Sequence, residues 1–122
     1  MEALTDEQFL HEWIIRNLVN RYSRIYSEIR INTIDDRSNE YKGFYPDALF
    51  INYGQVTQIV EVETESTINS DRVDYWKKLS GLGTKLVLLV PKENQKKAME
   101  LCWGNSLAAS LKIATYDVQI NI

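Results

Sequence analysis

Three glutamates, Glu61, Glu63 and Glu65, take every second position of the segment QIVEVETES, directly after the apolar pair Ile59-Val60. A strand shows alternate residues on one face. Carboxylates lined up this way repel one another unless a positive charge lies among them. A further carboxylate, Asp47, follows Pro46 at the head of the preceding β-rich segment. Whether it meets the glutamates depends on hairpin register. A two-residue turn at Tyr53-Gly54 pairs Asp47 with Val60 and sends Asp47 and Glu61 to opposite faces. A three-residue turn over Asn52-Tyr53-Gly54 pairs Asp47 with Ile59. Glu61 is then a diagonal same-face neighbour, roughly 7–8 Å away, and Gly54 takes the left-handed position of the turn. In that register Asp47, Glu61 and Glu63 converge as hard oxygen donors, suited to Mg²⁺ or Mn²⁺ and unsuited to zinc. A divalent ion there would remove the repulsion, polarise a phosphodiester and lower the pKa of an attacking water. The competing reading of the same spacing is a solvated sheet face or strand end, to which Glu63 and Glu65 would simply belong.

The elements that must hold these residues are legible as hydrophobic periods. Thr5 with Gln8 forms a capping-box pattern. Leu10, Trp13, Ile14, Leu18, Tyr22 and Ile25 then recur at helical spacing and predict a long amphipathic helix with a basic, solvated face. Ile29 and Ile31 alternate in SEIRINTI, a first strand; DDRSNEYKG is a polar loop. FYPDALFIN and QVTQIVEVET, split by the Gly-containing NYG, predict a hairpin. Val73, Trp76 and Leu79 make the stripe of a helix over 71–82, with Ser70 as its N-cap and Gly81 or Gly83 as its stop. KLVLLV is a continuous apolar run, as expected of a strand buried on both faces. Pro91 opens a third helix closed by Gly104, and a last strand is expected over 112–120. The order α-β-β-β-α-β-α-β predicts an α/β fold with a mixed sheet flanked by helices.

At 122 residues the chain is expected to form one domain, 1–122, with no linker or repeat. Its 44% hydrophobic and 25% charged residues are ordinary for a soluble globular protein. A net charge of −3 advertises no strongly charged partner. The single cysteine, Cys102, permits no internal disulfide and no cysteine-based metal site, and is expected as a small buried apolar residue. It fits a reducing cytoplasm. His11 is the lone histidine, which excludes a histidine-built zinc site; it is expected at the helix surface or core edge. The acidic, polar N-terminus has no signal-peptide pattern, and no apolar run is long enough to span a membrane.

YPDALFI, QIVEVET, the helix after them and the buried KLVLLVP together resemble the PD-(D/E)XK nuclease superfamily: restriction endonucleases, Holliday-junction resolvases and RecB-type nuclease domains. The resemblance implies a restriction-endonuclease-like αβββαβ core from about Leu4 to Val90, with an additional C-terminal α-β pair. It implies a DNA phosphodiesterase using Mg²⁺ or Mn²⁺, with Asp47 and Glu61 as metal carboxylates and the Val62 carbonyl as a further ligand. Glu63 falls where the family usually keeps a lysine; some restriction enzymes of the superfamily carry glutamate there and still cut, so the resemblance implies Glu63 as base or as ligand to a second metal. A relocated lysine would come from Lys42, Lys77, Lys78 or Lys85. An extra glutamate from the first helix would be Glu7 or Glu12. Arg72 and Lys78, with Tyr75 beside them, would touch phosphate. A homodimer is expected, as for many members. The departure at Glu63 leaves open a domain without catalysis that binds DNA or a protein partner.

Overall fold

Thr5 starts the fold with the capping box its spacing predicts: its hydroxyl accepts from the Gln8 amide while the Gln8 side chain accepts from the Thr5 amide. The computed structural model describes residues 4–118. Helix α1 runs Asp6–Tyr22, followed by β1 (Glu28–Ile31), β2 (Ala48–Asn52) and β3 (Gln55–Val62). Then come α2 (Val73–Ser80), β4 (Lys85–Pro91), α3 (Gln95–Gly104) and β5 (Lys112–Tyr116). The fold is α/β, as expected: the five strands form one mixed sheet in sequence order, antiparallel through β1, β2 and β3 and parallel through β4 and β5.

Each face of the sheet has its own core. The crossovers β3-α2-β4 and β4-α3-β5 step the same way along the sheet, and a common handedness then puts both helices on one face. Trp76 and Leu79 of α2 and Ala98 and Cys102 of α3 pack there against Leu49, Ile51, Ile59, Leu86, Leu88 and Val90. The opposite face, with Ala48, Phe50, Val60, Val62 and Val87, is covered by Ile14, Ile15 and Leu18 of α1.

Several boundaries and faces differ from the periodicity. Helix α1 ends at Tyr22, capped by Ser23, so Ile25 lies outside it and is exposed. The buried face is rotated towards Ile15, and Trp13 turns outward; Glu12 lies inside instead because its carboxylate accepts the Ile34 amide at 2.6 Å. The second helix begins with a 3₁₀ turn, Ser70–Arg72, capped by Asn69 and not Ser70, because the Asn69 side-chain carbonyl oxygen accepts the Asp71 amide. The last strand stops at Tyr116; positions 119 and 120 of the expected strand lie outside the described residues.

The hairpin takes neither of the two expected registers. Its turn has two residues, with Asn52 opposite Gln55 and both Tyr53 and Gly54 at positive φ (51° and 79°), a type I′ geometry. The register then shifts at a bulge: Ile51 pairs Val56, but Phe50 pairs Gln58, leaving Thr57 extra. Ala48 therefore pairs Val60, and the next step sets Asp47 directly opposite Glu61.

Candidate active site

Asp47 stands one residue before β2, where three elements fix it. Its backbone amide donates to Glu61 Oε1 at 3.3 Å, and its carbonyl accepts from the Asn32 amide at 3.0 Å. Its Oδ2 accepts the Val62 amide at 2.7 Å and lies 3.1 Å from His11 Nε2. The buried Asn32 side chain holds the approach to this corner, donating to the carbonyls of Pro46 and Asn39. The β1–β2 loop is thus tied back to the site by hydrogen bonds.

Glu61 and Glu63 project from the α2/α3 face of β3 and its continuation, and each is almost fully buried. Tyr75 donates its hydroxyl to Glu61 Oε1 at 3.2 Å. Burial, then the charges of Asp47 and Glu63, push the Glu61 carboxyl well above the usual carboxylate range, against the pull of Arg72. The Glu63 amide donates to the Leu89 carbonyl, so the β3–β4 ladder runs one residue past β3. Glu63 Oε1 accepts from Arg72 Nη2 and from the Trp76 indole N–H, each at 2.9 Å. Arg72 Nη2 is also 3.7 Å from Glu61 Oε2, and its guanidinium lies over the Tyr75 ring at 4.8 Å. The Tyr75 phenol is raised by burial and by the Glu61 charge.

His11 bridges two carboxylates, with Nδ1 3.1 Å from Glu12 Oε2 and Nε2 on Asp47. Burial opposes its protonation, but the bonds to Asp47 and Glu12 outweigh it, and its pKa is raised. A doubly protonated ring donates to both neighbours at once.

These groups surround a cavity of about 340 Å³. Asp47, Glu61, Val62 and Glu63 form its floor side, Arg72 and Tyr75 come from the α2 side, His11 from α1, and Arg37 and Tyr45 from the β1–β2 loop. The structure thus brings together Asp47, Glu61 and Glu63 with Val62, Arg72 and Tyr75, without a first-helix glutamate in the cavity wall. Lys78 is exposed and lies outside the cavity wall, as does Lys77. Lys42 donates to the Leu82 carbonyl at 2.8 Å. Lys85 pairs with Gln58 at the far end of β3, in register with the α1-facing residues. None of the four lysines lines the cavity. Glu7 instead holds the turn after β3 through the amide and hydroxyl of Ser66, bonds that lower its pKa. Glu12 reaches the site only through His11.

Sequence reading missed His11, Trp76 and Arg37 as site residues. Trp76 was legible as core, and it is fully buried; which carboxylate its N–H meets follows from α2 docking on β3. A larger cavity, about 550 Å³, lies between α3 and β5 among Met99, Trp103, Leu111 and Ile113. It brings no set of carboxylates together; the clustered titratable side chains line the smaller one.

Among the described residues no group of three or more His, Cys, Asp or Glu side chains is arranged as a ready metal cage. Asp47 and Glu61 offer a two-carboxylate, oxygen-only pair open to a cavity. That donor set fits Mg²⁺, which keeps several waters and takes one or two carboxylates. Comparison of the chain with protein-family models, with curated proteins and with solved structures found no match.

Proposed function

We propose that this chain is a metal-dependent DNA endonuclease-like domain that hydrolyses phosphodiesters with Mg²⁺ or Mn²⁺ held by Asp47 and Glu61. The observation that carries this reading is the placement of Asp47 opposite Glu61, two desolvated carboxylates facing one cavity from adjacent strands. The bound ion would polarise the phosphodiester and lower the pKa of the attacking water. The chain's own residues prepare that site. The Val62 amide and His11 orient Asp47, Tyr75 orients Glu61, and Trp76 fixes Glu63. Glu63 takes the place of the superfamily's lysine as base or second ligand. Arg37 and Arg72 stand at the cavity as phosphate partners. A homodimer and a reducing cytoplasm accompany the proposal: a single domain of this size covers little DNA, and Cys102 is a free buried thiol. Among the described residues no helix is long and apolar enough to cross a membrane.

A second reading has its own support. No lysine lines the cavity, and Arg72 already neutralises Glu63. Both facts favour a domain that binds DNA or a protein partner without cutting.

Mn²⁺ calorimetry and a nicking assay on purified protein separate the readings. Binding and cleavage by the wild type, both lost in Asp47→Asn and in Glu61→Gln, support the nuclease. DNA binding without turnover decides for the second reading. Cleavage that survives the double variant, with contaminating nuclease excluded, overturns the assignment of the site.

A further inference from the structure

We propose that Arg72 is a built-in stand-in for the divalent cation: it supplies the positive charge beside Glu61, the carboxylate it shares with the ion's proposed site, and beside Glu63, and it is displaced when the ion binds Asp47 and Glu61. The inference rests on the metal-site reading above and adds how that site is regulated.

The geometry is that of a replaceable pair. An arginine in a permanent carboxylate bridge commonly engages through two parallel N–H bonds. Here one nitrogen, Nη2, makes both approaches, at 2.9 Å from Glu63 and 3.7 Å from Glu61. Arg72 Nε is buried and has no hydrogen-bond partner among the described residues. The arginine therefore satisfies the carboxylates' need for positive charge better than they satisfy its donors. Its side chain is about a third exposed (34%), while those of Glu61 and Glu63 are 3% and 1% exposed. It reaches in from the rim and can leave towards solvent.

The two glutamates keep other partners if it leaves. Glu63 retains the Trp76 indole, and Glu61 retains the Tyr75 hydroxyl and the Asp47 amide. A dication entering the site would repel the guanidinium across a short, poorly screened distance. Arg72 ends the 3₁₀ turn Ser70–Arg72 directly ahead of α2, so its side chain can swing without moving the helix. Released at the cavity mouth, it is placed to meet a substrate phosphate. The same residue thus spares an empty site its carboxylate repulsion and sets a threshold for ion entry.

The test is Mn²⁺ affinity by calorimetry for the wild type, Arg72→Gln and Lys77→Gln. Glutamine retains a donor for Glu63, and Lys77→Gln removes an equal charge from exposed α2 as a control. Arg72→Gln is expected to tighten Mn²⁺ binding by about tenfold or more, and Lys77→Gln to change it by less than about twofold. In the wild type, mass-spectrometric mapping with phenylglyoxal should find Arg72 modified faster with Mn²⁺ than in EDTA. Equal or weaker Mn²⁺ binding by Arg72→Gln overturns the stand-in role while leaving the metal site intact. Unchanged Arg72 reactivity does the same. No Mn²⁺ binding by wild type or variant overturns this inference together with the metal-site reading.

Discussion

Glu61 is the residue at which the site's opposing demands meet. Its carboxyl is raised by burial and by Asp47 and Glu63, so the folded, metal-free chain holds a proton there more tightly than the unfolded chain does. By linkage, the stability this supplies is fully present below the ordinary glutamate value of 4.5 and is lost as pH rises through the raised value. His11 is shifted in the same direction: its stabilising contribution is present below 6.5 and lost as pH rises through its raised pKa. Metal-free protein should therefore melt at falling temperature from mildly acidic to alkaline pH. Glu61→Gln keeps the shape and the Tyr75 bond but has no proton to lose. It should flatten the Glu61 part of that slope. At pH 8 the folded wild type must either take up a proton at Glu61 or bury its charge, and the variant does neither; the substitution should raise the melting temperature by roughly a few degrees or more. Melting curves in EDTA from pH 5 to 9 read this directly. An unchanged slope in Glu61→Gln would show that Glu61 ionises at its ordinary value. The sequence offered this carboxylate through its spacing. It could not offer the partners of the three site carboxylates, because Tyr75, Trp76, Arg72 and His11 are 9 to 36 positions from the one among Asp47, Glu61 and Glu63 that each bonds, and arrive only when helices dock.

At the scale of elements, the β2–β3 hairpin decides whether there is a site at all. Alternation identified both strands and the turn region, yet register was illegible, since one bulged residue resets every pair beyond it. Thr57 is that residue, and its hydroxyl donates back to the Phe50 carbonyl. Helix α1 shows the converse limit. Its capping box was legible because it is local. Its buried face was only partly so, because the sheet surface chooses which stripe it covers. The hairpin turn contains an unfavourable choice that can be tested. Tyr53 sits at positive φ, a region β-carbon-bearing residues avoid, and is 97% exposed. Its ring buries almost no surface that a replacement would give up, and type I′ turns prefer Asn-Gly. Tyr53→Asn should stabilise the fold by roughly 0.5–1 kcal/mol, seen as a rise of a few degrees in melting temperature without change in Mn²⁺ binding. A fall would mean that the tyrosine supports the turn in another way.

The whole molecule places the site at the seam between its two helical layers. Asp47 is held from the α1 side by His11, whereas Glu61 and Glu63 are held from the α2 side by Tyr75, Arg72 and Trp76. Covering both sheet faces is thus a condition for assembling the site as well as for burying apolar surface. The layers are unequal: α2 and α3 share the larger core, and among the described residues α1 is the one helix on its face. It follows that α1 should open as a unit at lower cost than the rest. Ile15 is fully buried at the centre of its contact, and Ile15→Ala should cost about 2–5 kcal/mol. The Ile34 amide reports that opening, since it donates to the Glu12 carboxylate on α1. The Glu63 amide, bonded to Leu89 within the sheet, reports global unfolding. In native-state hydrogen exchange, Ile15→Ala should speed exchange at Ile34 and through α1 by about thirtyfold or more, with a smaller effect at Glu63. Cys102→Ala, in the other layer, should leave the Ile34 rate close to that of the wild type. Equal acceleration at Ile34 and Glu63 in the Ile15 variant would make the domain a single cooperative unit, with both faces of the site forming and dissolving together.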